Sequence, residues 1–367
     1  MIRVLQVLGG LGIGGAESMV MNYYRNIDRS KIQFDFIIHT NEHQEYYDEV
    51  LKLGGKIYSF PKFTGKNIFK VKKNWNIFFK EHPEYKIMHS HVRSYASIYL
   101  PIAKKHGVKT IIHSHSTSNG QGISSIVKSI LQYSIRHRAD YFFGCSQEAG
   151  EWLFGRKAVS SDRYFMMKNA IDIKKFEFSK SIRSEYRHLL GINENTNVFI
   201  HVGRFHPSKN YPFLINLFNE YHKNHNDSIL ILVGDGDLKP EIENQIQKLN
   251  ISDYVILTGS KQNTYDYLQA GDCFLFPSNW EGLPVTVVEA QASGLNCLIS
   301  DRITQDVNIS ELVQYISIDN GFNPWLEKMD ALNFSRMDVK SEIIKSGFDI
   351  TEASKWLESF YERLTNA

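Results

Sequence analysis

Cysteine is scarce in this chain of 367 residues: only Cys145, Cys273 and Cys297 occur. They are far apart, odd in number and without metal-ligand spacing. A disulfide framework is therefore excluded, and a reducing, cytoplasmic compartment is expected. Long apolar runs are missing as well. No stretch approaches the ~20 apolar residues of a membrane span. The apolar start, Ile2 to Leu8, breaks at Gly9-Gly10 with no small-residue cleavage site behind it, so it is expected as a buried first strand and not a secretion signal. Short repeats, low-complexity segments and nucleic-acid-binding motifs are absent, so no nucleic-acid partner is expected.

What remains is an ordinary globular composition, 42% hydrophobic and 22% charged. The length exceeds one core of ~100–200 residues and implies two domains. The net charge of +2 conceals an asymmetry. Residues 1–180 hold 27 Lys+Arg against 15 Asp+Glu, whereas residues 181–367 hold 15 against 25. Either the halves attract each other or the basic half meets an anionic partner such as a membrane surface.

Apolar runs alternate with amphipathic segments. Strands are expected at Val4–Leu8, Phe34–His39, Ile87–His89, Thr110–His113, Tyr141–Cys145 and Phe165–Lys168. A second series runs through Val198–Val202, Ile229–Val233, Tyr254–Leu257, Cys273–Phe276 and Asn296–Ile299. Such alternation implies parallel sheets covered on both faces. The polar stretch Lys174 to Asn197 reads as the linker region. The domains are expected over 1–175 and 176–349, with an amphipathic helix over 350–367, capped by Thr351, returning to the first. The fold class is α/β, two Rossmann-like domains facing one cleft, and ligands of such sheets bind beyond the strand carboxyl ends.

The loop after the first strand, Gly9-Gly10-Leu11-Gly12-Ile13-Gly14-Gly15-Ala16-Glu17, satisfies the glycine spacing of a dinucleotide fingerprint. An NAD-dependent oxidoreductase would also need an acidic residue at the end of the second strand. That strand ends in His39-Thr40, and Asp35 lies at its start. What survives is close backbone approach to a phosphate or sugar at a helix N-terminus.

A sharper signal is Phe276-Pro277-Ser278-Asn279-Trp280-Glu281-Gly282-Leu283-Pro284-Val285-Thr286-Val287-Val288-Glu289-Ala290. A strand runs into a loop, and Pro284 suits a first helical turn. Glu281 then lies in the loop and Glu289 in the helix, placed to serve two ends of one elongated ligand, with the Gly282 and Leu283 amides facing its negative middle. The bland alternative is a cap at Glu281 and a solvated Glu289.

This segment resembles the paired-glutamate motif of the retaining glycosyltransferases of family 4, which have the GT-B fold. The resemblance extends in the family's order through Gly14-Gly15-Ala16-Glu17, His113-Ser114-His115-Ser116, Asn169-Ala170-Ile171-Asp172, Val202-Gly203-Arg204-Phe205 with Lys209-Asn210, Val233-Gly234-Asp235-Gly236, and Glu281 to Gly294. It implies a hexosyltransferase whose second domain binds a nucleoside diphosphate sugar, expected to be a UDP-sugar, and whose first domain binds the acceptor. It further implies Glu281 at the transferred sugar and Glu289 at the nucleotide ribose. Arg204 and Lys209, whose fork and point charge suit phosphate oxygens, fall on the diphosphate in place of a metal. Gly14, Gly15, Gly234 and Asp235 line the donor, Glu17 and His113 stand on the acceptor side, and His115 faces the sugar, with His113 as the alternative register. The likeness is nearest to bacterial enzymes of capsular or exopolysaccharide assembly, which implies a lipid-linked glycan acceptor. A nucleotide-sugar 2-epimerase of the same fold and a non-catalytic binding protein are the rival readings.

No cofactor and no metal are expected. Asp235-Gly236-Asp237 mimics an Asp-x-Asp metal signature but stands between a strand and a helix start, as a turn. His89-Ser90-His91 and His113-Ser114-His115 invite zinc, yet neither pair has an acidic or cysteine third ligand nearby in sequence. Finally, Lys62 to Lys80 interleaves lysines with Phe63, Phe69, Trp75, Phe78 and Phe79. That pattern suits either a surface helix on anionic lipid or a packed helix with a basic outer face. Ile126 to Arg138 is a second such segment.

Overall fold

Parallel strands need covered crossovers, and the alternation of apolar runs with amphipathic helices supplies them here. The computed structural model describes residues 1–115, 129 and 131–366. The chain divides into two compact units, Met1–Ala170 with Ile350–Ala367, and Ile171–Asp349.

In the first unit, β1 (Ile2–Val7), β2 (Ile32–Ile38), β3 (Ile57–Ser59), β4 (Ile87–Ser90), β5 (Lys109–Ser114), β6 (Tyr141–Gly144) and β7 (Tyr164–Met166) form one sheet in the order β3-β2-β1-β4-β5-β6-β7. Every pairing is parallel, with Val4 between Phe34 and Ile87. All seven residues of β2 are buried, the mark of a strand covered on both faces.

The second unit repeats the plan. Strands β8 (Asn197–Val202), β9 (Ser228–Val233), β10 (Val255–Gly259), β11 (Cys273–Phe276), β12 (Asn296–Ser300) and β13 (Val313–Ile316) lie in the order β10-β9-β8-β11-β12-β13. Each sheet reverses its strand order once, between β1 and β4 and between β8 and β11. Doubly wound sheets bind ligands at that reversal. The segments after those four strands carry most of the residues singled out above, while Gly234 and Asp235 follow β9 and His113 and His115 lie in and after β5.

The last helix, Ile350–Asn366, belongs to the first unit. Leu357, Phe360, Tyr361 and Leu364 are buried there, and Phe360 packs 5.1 Å from Phe143 and 4.9 Å from Phe165. Burying one such ring stabilises by about 1.5–3 kcal/mol. Thr351 falls inside this helix and not at its cap, because helical geometry already begins at Ile350.

One expectation needs correction, and one pair of open alternatives gains an answer. The polar stretch from Lys174 to Asn197 is folded: it contains the helix Lys180–Leu189. Its Arg187 is buried, ion-paired with Asp272 and donating to the Ala270, Asn193, Glu194 and Thr196 carbonyls. In Lys62 to Lys80, the helix Ile68–Glu81 turns Val71, Trp75, Phe78 and Phe79 into the core and leaves Lys70, Lys72, Lys73 and Lys80 exposed. Phe69, 84% exposed, is the one ring of that helix left on the outer face. Residues 126–128 and 130 of the second basic segment, like Ser116, lie outside the described residues.

Candidate functional site

The second unit gathers most of the chemistry. After β8 the chain runs through Gly203, Arg204 and Phe205 into a single 3-10 turn, Pro207–Lys209, closed by Asn210 in the left-handed region at φ 56°. The loop after β11 is sewn to it: the Asn279 N–H donates to the Ser208 carbonyl (2.7 Å) and the Asn210 amide to the Pro277 carbonyl (3.2 Å). This stitching holds Lys209 Nζ 2.8 Å from Glu281 Oε1, with both side chains only 14% exposed. The same ammonium stands 4.7 Å above the Phe276 ring, a cation–π seat.

Several polar atoms here have no partner. Among the described residues, Ser278 Oγ, Thr286 Oγ1 and His201 Nε2 are buried and unpaired, and Glu281 Oε1, though close to Lys209, makes no aligned hydrogen bond. Buried groups normally find partners, so these atoms are open to polar atoms of a ligand or of water. The Gly282 and Leu283 N–H groups likewise donate to no atom among the described residues. Glu289 lies in the helix Val285–Ala292, and burial raises its carboxyl to about 7, far above the usual carboxylate range. Pro284 precedes that helix as its cap residue, one place earlier than its expected position in the first turn.

Gly234 and Asp235 form the turn after β9, laid against the first loop by the Phe205 N–H to Asp235 carbonyl bond (2.9 Å). A Cβ at Gly234 would run into the Gly203 carbonyl, so only glycine permits this approach. Asp235 accepts from the Gly236 N–H (2.7 Å), and Asp237 pairs loosely with Arg204 at 3.6 Å. Neither aspartate joins a three-ligand cluster among the described residues. Arg204 is 70% exposed and does not reach Glu281's ion pair. The structure thus brings Lys209 and Glu281 together and leaves Arg204 at the rim.

In the first unit, the glycine loop opens a cavity of about 1190 Å³ lined by Gly10, Gly14, Glu17, His39, His91 and Arg93, among others. Gly14 caps the helix Gly15–Asn26 without a side-chain hydrogen bond, and Glu17 folds back over it, its carboxyl raised by burial. Gln44 caps the Leu11 N–H at 2.6 Å, filling the space a Cβ on Gly10 would need. Asp35 is unavailable to any ribose. It is buried and held by Arg3, Tyr85 and the Lys56 N–H. His113 is fully buried within β5, whereas His115 follows the strand and is partly exposed. Their rings stack at 4.1 Å. The two His-x-His pairs do not stand apart, as their sequence separation suggested. Register pairs His89 with Ile111, which sets His91 beside His113.

Sequence reasoning missed Thr286, His201 and the Phe276 ring as parts of the second-unit site. Their signal was positional: each sits at a strand end or first helical turn bordering the order reversal.

Two doubly wound domains, the second with a lysine–glutamate pair at its strand-order reversal, define a GT-B glycosyltransferase. Comparison with known proteins agrees. The family described as Glycosyltransferase Family 4 matches residues 13–175, and Glycosyl transferases group 1 matches residues 182–321. The glycosyltransferase-family protein EpsF of Bacillus subtilis (strain 168) is 34% identical over 358 residues, 95% of this chain and 93% of EpsF. The chain belongs to the family 4 glycosyltransferases. The UDP-Gal:alpha-D-GlcNAc-diphosphoundecaprenol alpha-1,3-galactosyltransferase of Escherichia coli is 25% identical over 296 residues, 76% of this chain and 75% of that protein. The Anabaena protein HepE, solved in complex with UDP and glucose, matches with a TM-score of 0.78 at 15% identity, over 99% of this chain and 100% of that one. Among the described residues no helix is long and apolar enough to cross a membrane.

Proposed function

We propose that this enzyme transfers a hexosyl group from a UDP-sugar, with retention, to a hydroxyl of a lipid-linked glycan during assembly of a bacterial surface polysaccharide in the cytoplasm. The observation that carries the reading is the 2.8 Å Lys209–Glu281 pair among unpaired buried hydroxyls. Support for the nucleotide comes from HepE, solved with UDP, and for the acceptor from the galactosyltransferase, whose name specifies a diphosphoundecaprenol-linked sugar.

In this reading Glu289 accepts the ribose hydroxyls, the Gly282 and Leu283 amides and Lys209 hold the diphosphate, and Arg204 closes onto it from the rim. The C1–O bond to the β-phosphate breaks and its electron pair stays on the phosphate oxygen, where Lys209 meets the growing charge. The acceptor oxygen bonds to C1 from the same face, and its proton passes to the departing phosphate. Glu281 positions the sugar. No metal serves the diphosphate, because two cations take that place. The acceptor occupies the first-unit cavity beside Glu17, and the lysine face of Ile68–Glu81 rests on anionic lipid.

The test is release of UDP from a panel of UDP-sugars by the full chain and by Lys209→Ala. Loss of one such charge at the leaving group costs ~10²–10³-fold in kcat. Equal turnover by the variant would remove Lys209 from the reaction.

A further inference from the structure

The first unit carries a histidine cluster that extends beyond His115, the histidine the resemblance places at the sugar. Parallel register sets β4 beside β5, and residues two apart share a face, so His89, His91, His113 and His115 form one group. One ring nitrogen from each of His89, His91 and His113 lies within 4.8 Å of the others. His115 Nε2 is 2.8 Å from His91 Nδ1.

Two of the three are anchored from outside on one side of the ring. His89 Nδ1 meets the Tyr361 hydroxyl at 2.7 Å, and His91 Nε2 donates to Gln6 Oε1 at 3.0 Å. Gln6 in turn donates to Tyr361 at 3.4 Å. Outer anchors of this kind fix the tautomer of metal-binding histidines and leave a lone pair on the inner nitrogen.

His91 Nδ1 is shared with His115 Nε2, and the other inward nitrogens have no partner among the described residues. His89 Nε2, both nitrogens of His113 and His115 Nδ1 are buried and unpaired among the described residues. No carboxylate stands among them. His91 also lines the large cavity, which gives an ion a way in. Tetrahedral zinc places ligand nitrogens about 3.4 Å apart, from Zn–N bonds of ~2.0–2.1 Å. The His89 and His113 rings stand nearly parallel, at 13°, so closing on an ion takes rotation about χ2, a soft torsion.

The geometry points to a divalent transition-metal site, zinc foremost, built by His89, His91 and His113 with His115 in reach as a fourth ligand. All-imidazole donors suit zinc, copper and nickel over magnesium or calcium. The site lies in the first unit, on residues separate from the diphosphate loops of the second. It ties the ends of β4 and β5 together and so positions His115. It runs against the expectation that the chain uses no metal, which treated each histidine pair as isolated.

The test uses the full chain, dialysed against a chelator and then titrated with ZnCl2 or CoCl2 alone. Expected are one ion per chain by elemental analysis after gel filtration, a tetrahedral Co²⁺ absorption band, and a higher Tm with Zn²⁺. The double variant His89→Ala/His113→Ala loses the ion and the band, while exposed His43→Ala changes neither. Should the double variant fail to fold, Tyr361→Phe decides, because it keeps every ring and removes one anchor: affinity falls about 10–100-fold. Metal content below about a tenth of an ion per chain in the wild type overturns the proposal. So does Tyr361→Phe binding Zn²⁺ as tightly as the wild type.

Discussion

Glu289→Gln separates stability from binding at a single atom. Burial raises the Glu289 carboxyl from the ordinary 4.5 to about 7. A carboxyl whose folded-state value is raised holds its proton better when folded. Folding stability therefore falls as pH climbs from about 4.5 to about 7, and the full cost is present above about 7. At 1.36 kcal/mol per pH unit that cost is about 3 kcal/mol, an upper bound because Glu289 retains some solvent contact. Glutamine has nothing to ionise. Urea unfolding should find Glu289→Gln more stable by up to about 3 kcal/mol near pH 8, and by less than about 1 kcal/mol near pH 5. Calorimetric titration with UDP near pH 8 should show the opposite effect on binding, a loss of ~10–100-fold, since hydrogen bonds to a charged acceptor are worth ~1.5–3 kcal/mol. Equal stability of the two proteins at both pH values would show that Glu289 is not held in a desolvated site. Unchanged UDP affinity would remove it from the ribose.

Brief treatment with excess EDTA should leave sugar transfer intact, because Lys209 and Arg204 supply the charge at the diphosphate; activity lost and then restored by magnesium or manganese would reinstate Asp235 and Asp237 as ligands. Sedimentation with anionic but not neutral vesicles should weaken steeply with salt, at about 1 kcal/mol per basic side chain near the surface. Lys70→Glu/Lys72→Glu/Lys73→Glu should abolish it and spare UDP-sugar hydrolysis; equal binding to both vesicle types would refute the electrostatic attachment. Phe360→Ala should destabilise the first unit by about 3–5 kcal/mol, read by thermal unfolding, because it empties the space between Phe143 and Phe165.

Much of this was legible in the sequence because it is local. The glycine loop, the Glu281-to-Glu289 segment and the Arg204–Lys209 loop each announce themselves within a dozen residues, and buried parallel strands such as β2 read as apolar runs. Strands β3 and β13 went unread: they are edge strands of three and four residues, partly exposed, with no apolar run to mark them. The stripe Val71, Trp75, Phe78, Phe79 fits one helix face either against a core or on a membrane, and only tertiary packing decides between them. Arg187 and Asp272, 85 positions apart, turn a polar stretch into a folded one. The histidine cluster needs the β4–β5 register and a tyrosine 272 positions from His89. No spacing rule reaches that far.

The central claim is transfer, with retention, from a UDP-sugar to a diphosphate-linked lipid glycan. Incubation of the full chain with isotope-labelled UDP-α-hexoses and a sugar-diphosphate-polyprenol acceptor, with the product's anomeric proton read by NMR, tests it directly. The account predicts a labelled α-linked product and stoichiometric UDP, both lost in Glu281→Ala. A β-linked product, or an epimerised sugar in place of a new linkage, would contradict it.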